Sequence, residues 1–455
     1  MLRKKRRIDE LLEENKQLKA KLRYRERKEE EGYFGLSTPS SQLPHKPSSS
    51  EENRDKKGGA PCGHPGCGRQ SHAEGEADET ICEDVGETCP ACGGALVLKE
   101  TRNRTVIEAG PIRPKKLLYR LAVRQCQSCR RTFRARPKSV LPKSLYGNQL
   151  VANAVVMHYF YGVPMGRTSE MTGVGHGSLI EIFHRLGQQF SPIMGALKEA
   201  YRTSPVKHAD ETGWRNDGRN GYAWLFCTTS LSIFQFKDTR SAAVPKAVFG
   251  EKQLPGVLVV DRYGGYNKLP VKIQYCCAHL LRDVEKLERD CPEDEEVVWF
   301  AGALIPLLAE AMHLASREIS DEEYYRQARE LKEKIMAVCR SPAHHLGVRA
   351  MQDVFVDHED RFFHWVADRR IPADNNRAER DLRPTVIARK VSFGSGSEAG
   401  AHTRSVLMSA LHTLAKRRGD QSLEAVFKDI LDKIAANQDV DLVPLVLRPV
   451  ADPRN

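Results

Sequence analysis

The sequence predicts an α/β core interrupted by helices, and three observations carry that expectation. Short β-branched and aromatic runs bounded by Gly, Asn or Asp crowd the stretch Lys207–Asn267. A wholly apolar run, Val257–Val260, suits a strand buried on both faces. After Tyr275-Cys276-Cys277 the apolar period changes from two to 3.6 and stays there for about 90 residues. In order, runs near 205–212, 222–229 and 231–237 predict an antiparallel meander, Ser241–Phe249 a helix, and Val257–Val260 a fourth strand. Strands 1-2-3, helix, strand 4, helix, strand 5 is the order of the RNase H-like fold.

Asp210 falls in the first of these strands and Asp261 ends the fourth. If the two strands are neighbours, their carboxylates meet at one sheet edge. Carboxylates held close repel unless a cation lies between them, and hard oxygen donors favour Mg²⁺ or Mn²⁺. Two such ions about 4 Å apart can activate a water or a 3′-hydroxyl and stabilise the leaving oxygen of a phosphodiester. The plainer alternative is that both residues only cap turns.

With 455 residues the chain has room for about three domains. Its net charge of +11 is unevenly spread, because Lys99–Lys143 holds 14 Lys and Arg against two Glu. Such a patch points to a polyanion, most simply nucleic acid. Uninterrupted apolar runs fall short of the ~20 residues that cross a bilayer; the longest, Val297–Ala309, contains Pro306 and reads as a buried helix. The start, MLRKKRRIDE, lacks the apolar core of a signal peptide. A cytoplasmic protein, nucleoid-associated when bound to DNA and with no membrane partner, is therefore expected.

Ile8, Asn15 and Leu22 alternate with Leu11 and Leu18 as a short heptad, and one Asn among core aliphatics fixes register in a two-stranded coil. Gly35–Gly75 is rich in Ser, Pro and Gly, as flexible linkers are, and includes Cys62, His64 and Cys67 at a spacing that fits no common zinc module. Ala73–Thr88 is acidic and reads as a solvated loop. Cys89-x-x-Cys92 and Cys126-x-x-Cys129, separated by strand-like runs at Thr105–Glu108 and Leu117–Arg124, predict a zinc ribbon. Four thiolates close a tetrahedral Zn²⁺ site and leave no open position for chemistry. Beyond it, Asn148–Tyr161, Arg167–Met171 and Ser178–Phe190 read as three helices, the last entered by a Gly173–Gly177 turn as in a helix-turn-helix. A helical linker packed on the core is the alternative.

In the helical stretch, Ser320-Asp-Glu-Glu323 is a capping box followed by Ala328, Leu331, Ile335 and Val338 on one face, and Pro342 ends that helix. His279 and Arg282 lie just after the fifth strand, where His279 could assist a site, bind phosphate, or be a core histidine. The segment 372–384 predicts a short helix that starts near Asn375 or Asn376 and stops at Pro384, with Glu379, Arg380 and Arg383 on one face. Asp374, Glu379 and Asp381 could each supply a third carboxylate, and spacing does not choose among them.

His208-Ala-Asp210-Glu211-Thr212, Asp261-x-Tyr263-x-x-Tyr266-Asn267, Cys277-Ala-His279-x-x-Arg282, the Asn-Asn-x-x-Glu379-Arg380-x-x-Arg383-Pro384 block and Arg389-Lys390 together resemble a bacterial DDE transposase of the insertion sequence 66 family. The resemblance runs nearly end to end. It departs at Cys62 and Cys67, and at VSFGSGSEAG, where the family commonly has an aromatic-rich version. It implies Asp210, Asp261 and Glu379 as the catalytic triad holding Mg²⁺ or Mn²⁺, and DNA cleavage at terminal inverted repeats followed by strand transfer into target DNA. Arg380, Arg383, Arg389 and Lys390 would hold phosphates, with His279, Arg282 and Asn376 supporting the site. A homodimer or larger synaptic complex is implied, as are small accessory proteins of the same element.

The expected organisation is thus a self-association helix over 1–31, a linker over 32–88, a DNA-binding zinc ribbon over 89–143 and a helix-turn-helix-like region over 144–200. An RNase H-like catalytic domain follows over 201–400, with its all-α insertion at about 283–370, and then a helical region over 401–455. Two other functions fit the same features. One is a DNA-binding regulator with an inert nuclease-like domain, and the other is a structure-specific nuclease that cuts without joining.

Overall fold

Strand-forming runs and helical stretches fall into a five-stranded mixed sheet wrapped by helices. The computed structural model describes Cys92, Ala95, residues 114–125, Cys129, 132–134, Pro137 and 139–449. Two compact units divide the chain, Leu43–Arg113 and the remainder. In the first only Cys92 and Ala95 are described, both exposed. The heptad, the linker with Cys62, His64 and Cys67, the acidic loop, Cys89, Cys126 and the run Thr105–Glu108 all lie outside the described residues.

The first regular element described in the remainder is a hairpin, β1 (Val123–Gln125) paired antiparallel with β2 (Thr132–Arg134), whose strands flank the second Cys-x-x-Cys in sequence. Only the end of the expected 117–124 strand forms, because residues 114–122 pair with nothing regular. Three helices follow close to their expected places: α1 (Asn148–Tyr159), α2 (Met165–Thr172) and α3 (His176–Phe190). Gly173 turns the chain between the last two at φ 67°, a left-handed conformation that suits glycine. α4 (Ile193–Thr203) leads into the sheet.

β3 (Val206–Asn216), β4 (Arg219–Cys227) and β5 (Ser232–Lys237) form the antiparallel meander. α5 (Ala243–Phe249) then returns the chain for β6 (Val257–Val260), which lies parallel to β3, and β7 (Lys272–Tyr275) lies parallel to β6. The spatial order is β5-β4-β3-β6-β7. Between β6 and β7 the chain makes only a three-residue 3₁₀ turn, Gly264–Tyr266, instead of the expected helix. The pleat splits β4 between two packed faces: Ala223 joins Trp214 and Ala388, whereas Trp224 and Phe226 meet the ring cluster of Tyr201, Phe249 and Tyr266. Burying each such aromatic contributes about 1.5–3 kcal/mol before the entropy of ordering it.

The helical insertion comprises α6 (Cys277–Asp290), α7 (Glu295–Leu314), α8 (Asp321–Cys339), α9 (Leu346–Asp357) and the single turn α10 (His364–Ala367). Ser320 caps α8 by accepting from the Glu323 amide at 3.2 Å, and Ala328, Leu331 and Ile335 are buried, as the pattern predicts. α7 corrects one expectation: over an 18-residue window it is apolar enough to cross a membrane by length and composition, which a search for uninterrupted runs overlooks. Its Val297, Phe300, Leu304, Leu308 and Ala311 are buried, and the helix packs on α6 and α8. The insertion closes where it opened, the Cys277 amide donating to the Ala373 carbonyl at 2.8 Å.

α11 (Asn376–Ser392) overturns the short helix expected here. Pro384 sits inside it and does not stop it. One proline removes one backbone bond, and that loss is outweighed by packing of the helix on β3 and β4 through Leu382, Val386, Ala388 and their neighbours. α12 (Glu398–Ala415) runs straight through the boundary expected at 400 and packs on both β5 and α3. α13 (Leu423–Ala436) lies on α1, and the turn α14 (Val443–Val446) completes the described chain. The helices of 144–200 and those after 400 are therefore layered onto the same body as the sheet.

Candidate active site

Parallel pairing of β3 with β6 sets the first two carboxylates. Val206 faces Val257 and His208 faces Val259, so two further residues along the same register place Asp210 beside Asp261. Asp210 Oδ1 accepts from the Glu211 amide at 2.8 Å, and Asp261 Oδ1 from the Tyr263 amide at 3.0 Å. Burial pushes the Asp210 carboxyl well above its ordinary range, and the negative charges of Glu211, Asp261 and Glu379 push it further.

The third carboxylate arrives on α11. Asn375 fixes the start of that helix: its Nδ2 donates to the Ala209 carbonyl at 2.8 Å, its Oδ1 meets His208 Nδ1 at 3.0 Å, and its amide donates to Cys276 Sγ at 3.1 Å. Asn375 is buried, whereas Asn376, the residue singled out from the sequence, only donates its amide to Asp374 Oδ1 at 2.9 Å. Of the three open choices, Asp374 serves that cap and Asp381 pairs with Lys416 at 2.6 Å. Glu379 is among the charges that raise the Asp210 pKa.

Glu379 is held by α6. Arg282 Nη2 lies 3.0 and 3.2 Å from its two carboxylate oxygens, and His279 Nε2 lies 3.9 Å from one of them. His279 Nδ1 is buried with no partner among the described residues, and burial followed by the Arg282 charge lowers its pKa. The three carboxylates do not close into a ready-made cage: among the described residues, no group of three His, Cys, Asp or Glu is drawn tightly enough to hold a metal. Their chemistry still suits one, with oxygen donors only and a half-buried Asp210 whose ionisation a cation would favour.

Glu211 and Tyr266, both in the quoted motifs, form a brace with Arg240, which the sequence left unmarked. The Glu211 side chain is 1% exposed and accepts from Arg240 Nε at 2.8 Å and from the Tyr266 hydroxyl. Arg240 also stacks over Tyr263, 4.2 Å from the ring centroid. An Arg 29 residues away has no local signal that could have exposed the pairing.

The expected phosphate-binding residues separate into two kinds. Arg380, Arg383 and Lys390 are exposed on α11. Arg389 is turned inward instead, donating to Thr212 Oγ1 at 3.2 Å and close to the Gly213 carbonyl, so it ties α11 to β3. Of the basic segment, Lys115, Lys116, Arg120, Arg124 and Lys143 have described side chains, and all five are exposed. Of the four expected zinc ligands, Cys92 and Cys129 are exposed free thiols.

A family model described as "Transposase IS66 family" matches residues 143–403, which take in every strand of the sheet, the insertion and α11. Two curated relatives are similar across longer spans, both from Sinorhizobium fredii (strain NBRC 101917 / NGR234). "Uncharacterized protein y4qI" is 24% identical, covering 61% of this chain and 58% of its own length. "Uncharacterized protein y4hP" is 23% identical, covering 78% of this chain and 72% of its own.

Proposed function

Because the chain belongs to the IS66 transposase family, we propose that Asp210, Asp261 and Glu379 form the carboxylate triad of an RNase H-like core that cuts and joins DNA. The sites of action would be the terminal inverted repeats of its insertion sequence and the target DNA. The observation that carries this reading is the register of β3 on β6, which sets Asp210 beside Asp261 while Asp210 also feels Glu379.

Each side chain has a role in this reading. Asp210 and Asp261 hold the rigid edge, and Glu379 comes to it on a helix pinned by Asn375. Arg282 orients Glu379 by donating to both of its carboxylate oxygens. When bound, Mg²⁺ or Mn²⁺ would activate the attacking oxygen and stabilise the leaving one. Glu211 and its brace shape the wall beside Asp210. Exposed Arg380, Arg383 and Lys390 would contact DNA phosphate beside the site.

Upstream, Cys89, Cys92, Cys126 and Cys129 would hold one Zn²⁺. Serine at Cys89 and Cys126 should remove about one zinc per chain by metal analysis; unchanged zinc content would refute the ribbon. Two element ends processed together imply a dimer or larger synaptic complex, and accessory proteins of the same element are further expected partners.

The test combines purified protein, a labelled duplex carrying the flanking element end and a plasmid target, in Mg²⁺ or EDTA. Metal-dependent joining that is lost in Asp261→Ala is the expected result. Cleavage without joined products would replace the transposase with a nuclease. Cleavage that persists in Asp261→Ala would remove the triad.

A further inference from the structure

Between α1, α3 and the loop joining α11 to α12 lies a cavity of about 280 Å³. Its polar lining includes His158, His176, His184, Ser395, Ser397 and Arg404, and no Asp or Glu lines it. Arg404 is 6% exposed. Its guanidinium meets His158 Nε2 at 3.0 Å and Met408 Sδ at 4.0 Å, between the rings of Tyr159 and Trp214 at 5.2 and 5.1 Å. No carboxylate pairs with it among the described residues. A buried cation without a counter-charge is costly unless something anionic joins it.

The surrounding loop is built to hold a shape. Gly394 has φ 138°, and a Cβ there would collide with the Arg215 carbonyl, so no other residue fits. Ser395 exchanges backbone bonds with Arg215 and Asp217, both 2.9 Å, and its hydroxyl accepts from Trp214 Nε1 at 3.1 Å. Ser397 caps the 18-residue α12 by accepting from the Gly400 amide at 3.1 Å. The two amides before Gly400 have no helical acceptor, and that end of the helix favours negative charge.

We infer that this cavity is a phosphate-binding site, formed by Arg404, the Ser395–Ser397 loop and the start of α12. Nothing in the carboxylate triad contributes to it. On the transposase reading, on which this assignment of source rests, the phosphate is one of the DNA backbone. α11 leads to the loop with Arg383 and Lys390 exposed, and Phe393 at its end is 76% exposed. A free phosphate-bearing small molecule would use the same chemistry.

Gly396 offers a clean perturbation, because a Cβ there meets nothing within 4 Å. Gly396→Asp therefore adds a negative charge to the cavity without strain, and Gly396→Ala controls for volume. Both arms use the full chain in EDTA, so that loss of catalysis plays no part. In the first, unfolding temperature is followed with inorganic phosphate against chloride at equal ionic strength. In the second, duplex affinity is followed against salt. Phosphate should stabilise wild type and Gly396→Ala but not Gly396→Asp. Duplex binding should weaken about tenfold in Gly396→Asp, with the log–log salt slope reduced by about one. Loss of the phosphate response alone would keep the site and assign it to a free ligand. Gly396→Asp matching wild type in both arms would overturn the proposal, whether or not the protein proves to join DNA.

Discussion

Where β3 passes the end of β6, negative charge gathers around a half-buried Asp210. Further along β3, where Trp214 meets α12, the positive charge of Arg404 is buried beside His158. The two places are built differently. The acidic edge is partly self-compensated, with Arg282 on Glu379 and Arg240 on Glu211. The arginine cavity has only dipoles and rings. The difference suits a site that exchanges cations during a reaction against one that grips a single group without chemistry.

The largest expected effect separates these roles. Asp210→Asn, Asp261→Asn or Glu379→Gln should each lower joining by at least about a thousandfold while duplex affinity stays near wild type. Gly396→Asp should do the reverse, weakening binding with chemistry intact once DNA is saturating. If Glu379→Gln joins DNA normally, the third carboxylate lies elsewhere and the contrast with Asp374 and Asp381 fails.

A middle-sized effect tests the support beneath the acids. Asn375→Ala removes the bonds to Ala209 and His208 and leaves buried groups unpaired. It should cost about 1–3 kcal/mol in urea unfolding and slow joining about 10–100-fold, the usual range for orienting partners of metal ligands. Asn376→Ala should do neither. Equal effects at the two positions would break the distinction.

These sites were unequally legible in the sequence. Asp261 follows a short, bounded apolar run and Asp210 lies within a strand-forming one, so local pattern alone located both strands. The capping box at Ser320 was equally local. What needed tertiary context was missed. Pro384 read as a stop because the packing of α11 on β3 and β4 is invisible to propensity. The choice between Asn375 and Asn376 turns on which side chain points at β3, and Arg389 read as a phosphate ligand although β3 claims it. Arg404 gave no signal at all. Its surroundings come from residues near 158, 214 and 395, and in sequence it is one more basic residue on an amphipathic helix.

The smallest effect is a pair of opposite pH slopes. Asp210 is raised above its ordinary 3.8, so in EDTA its contribution to stability is complete below that value and is lost as pH rises through the folded pKa. His158 is lowered from 6.5 to about 4, by burial first and by Arg404 second. Its contribution is therefore present above pH 6.5 and is lost as pH falls towards 4. Each single proton limits the slope to about 1.4 kcal/mol per pH unit. His208 and His412 fall in the same window, both lowered to about 4 by burial, so the readout is the difference between variant and wild type. Asp210→Asn should remove a component that falls with pH, and Mg²⁺ should remove the same component from wild type. His158→Gln should remove a component that rises with pH, and Mg²⁺ should leave that one untouched. Slopes of the same sign in the two variants would mean that Asp210 and His158 are not both held in their neutral forms by their surroundings.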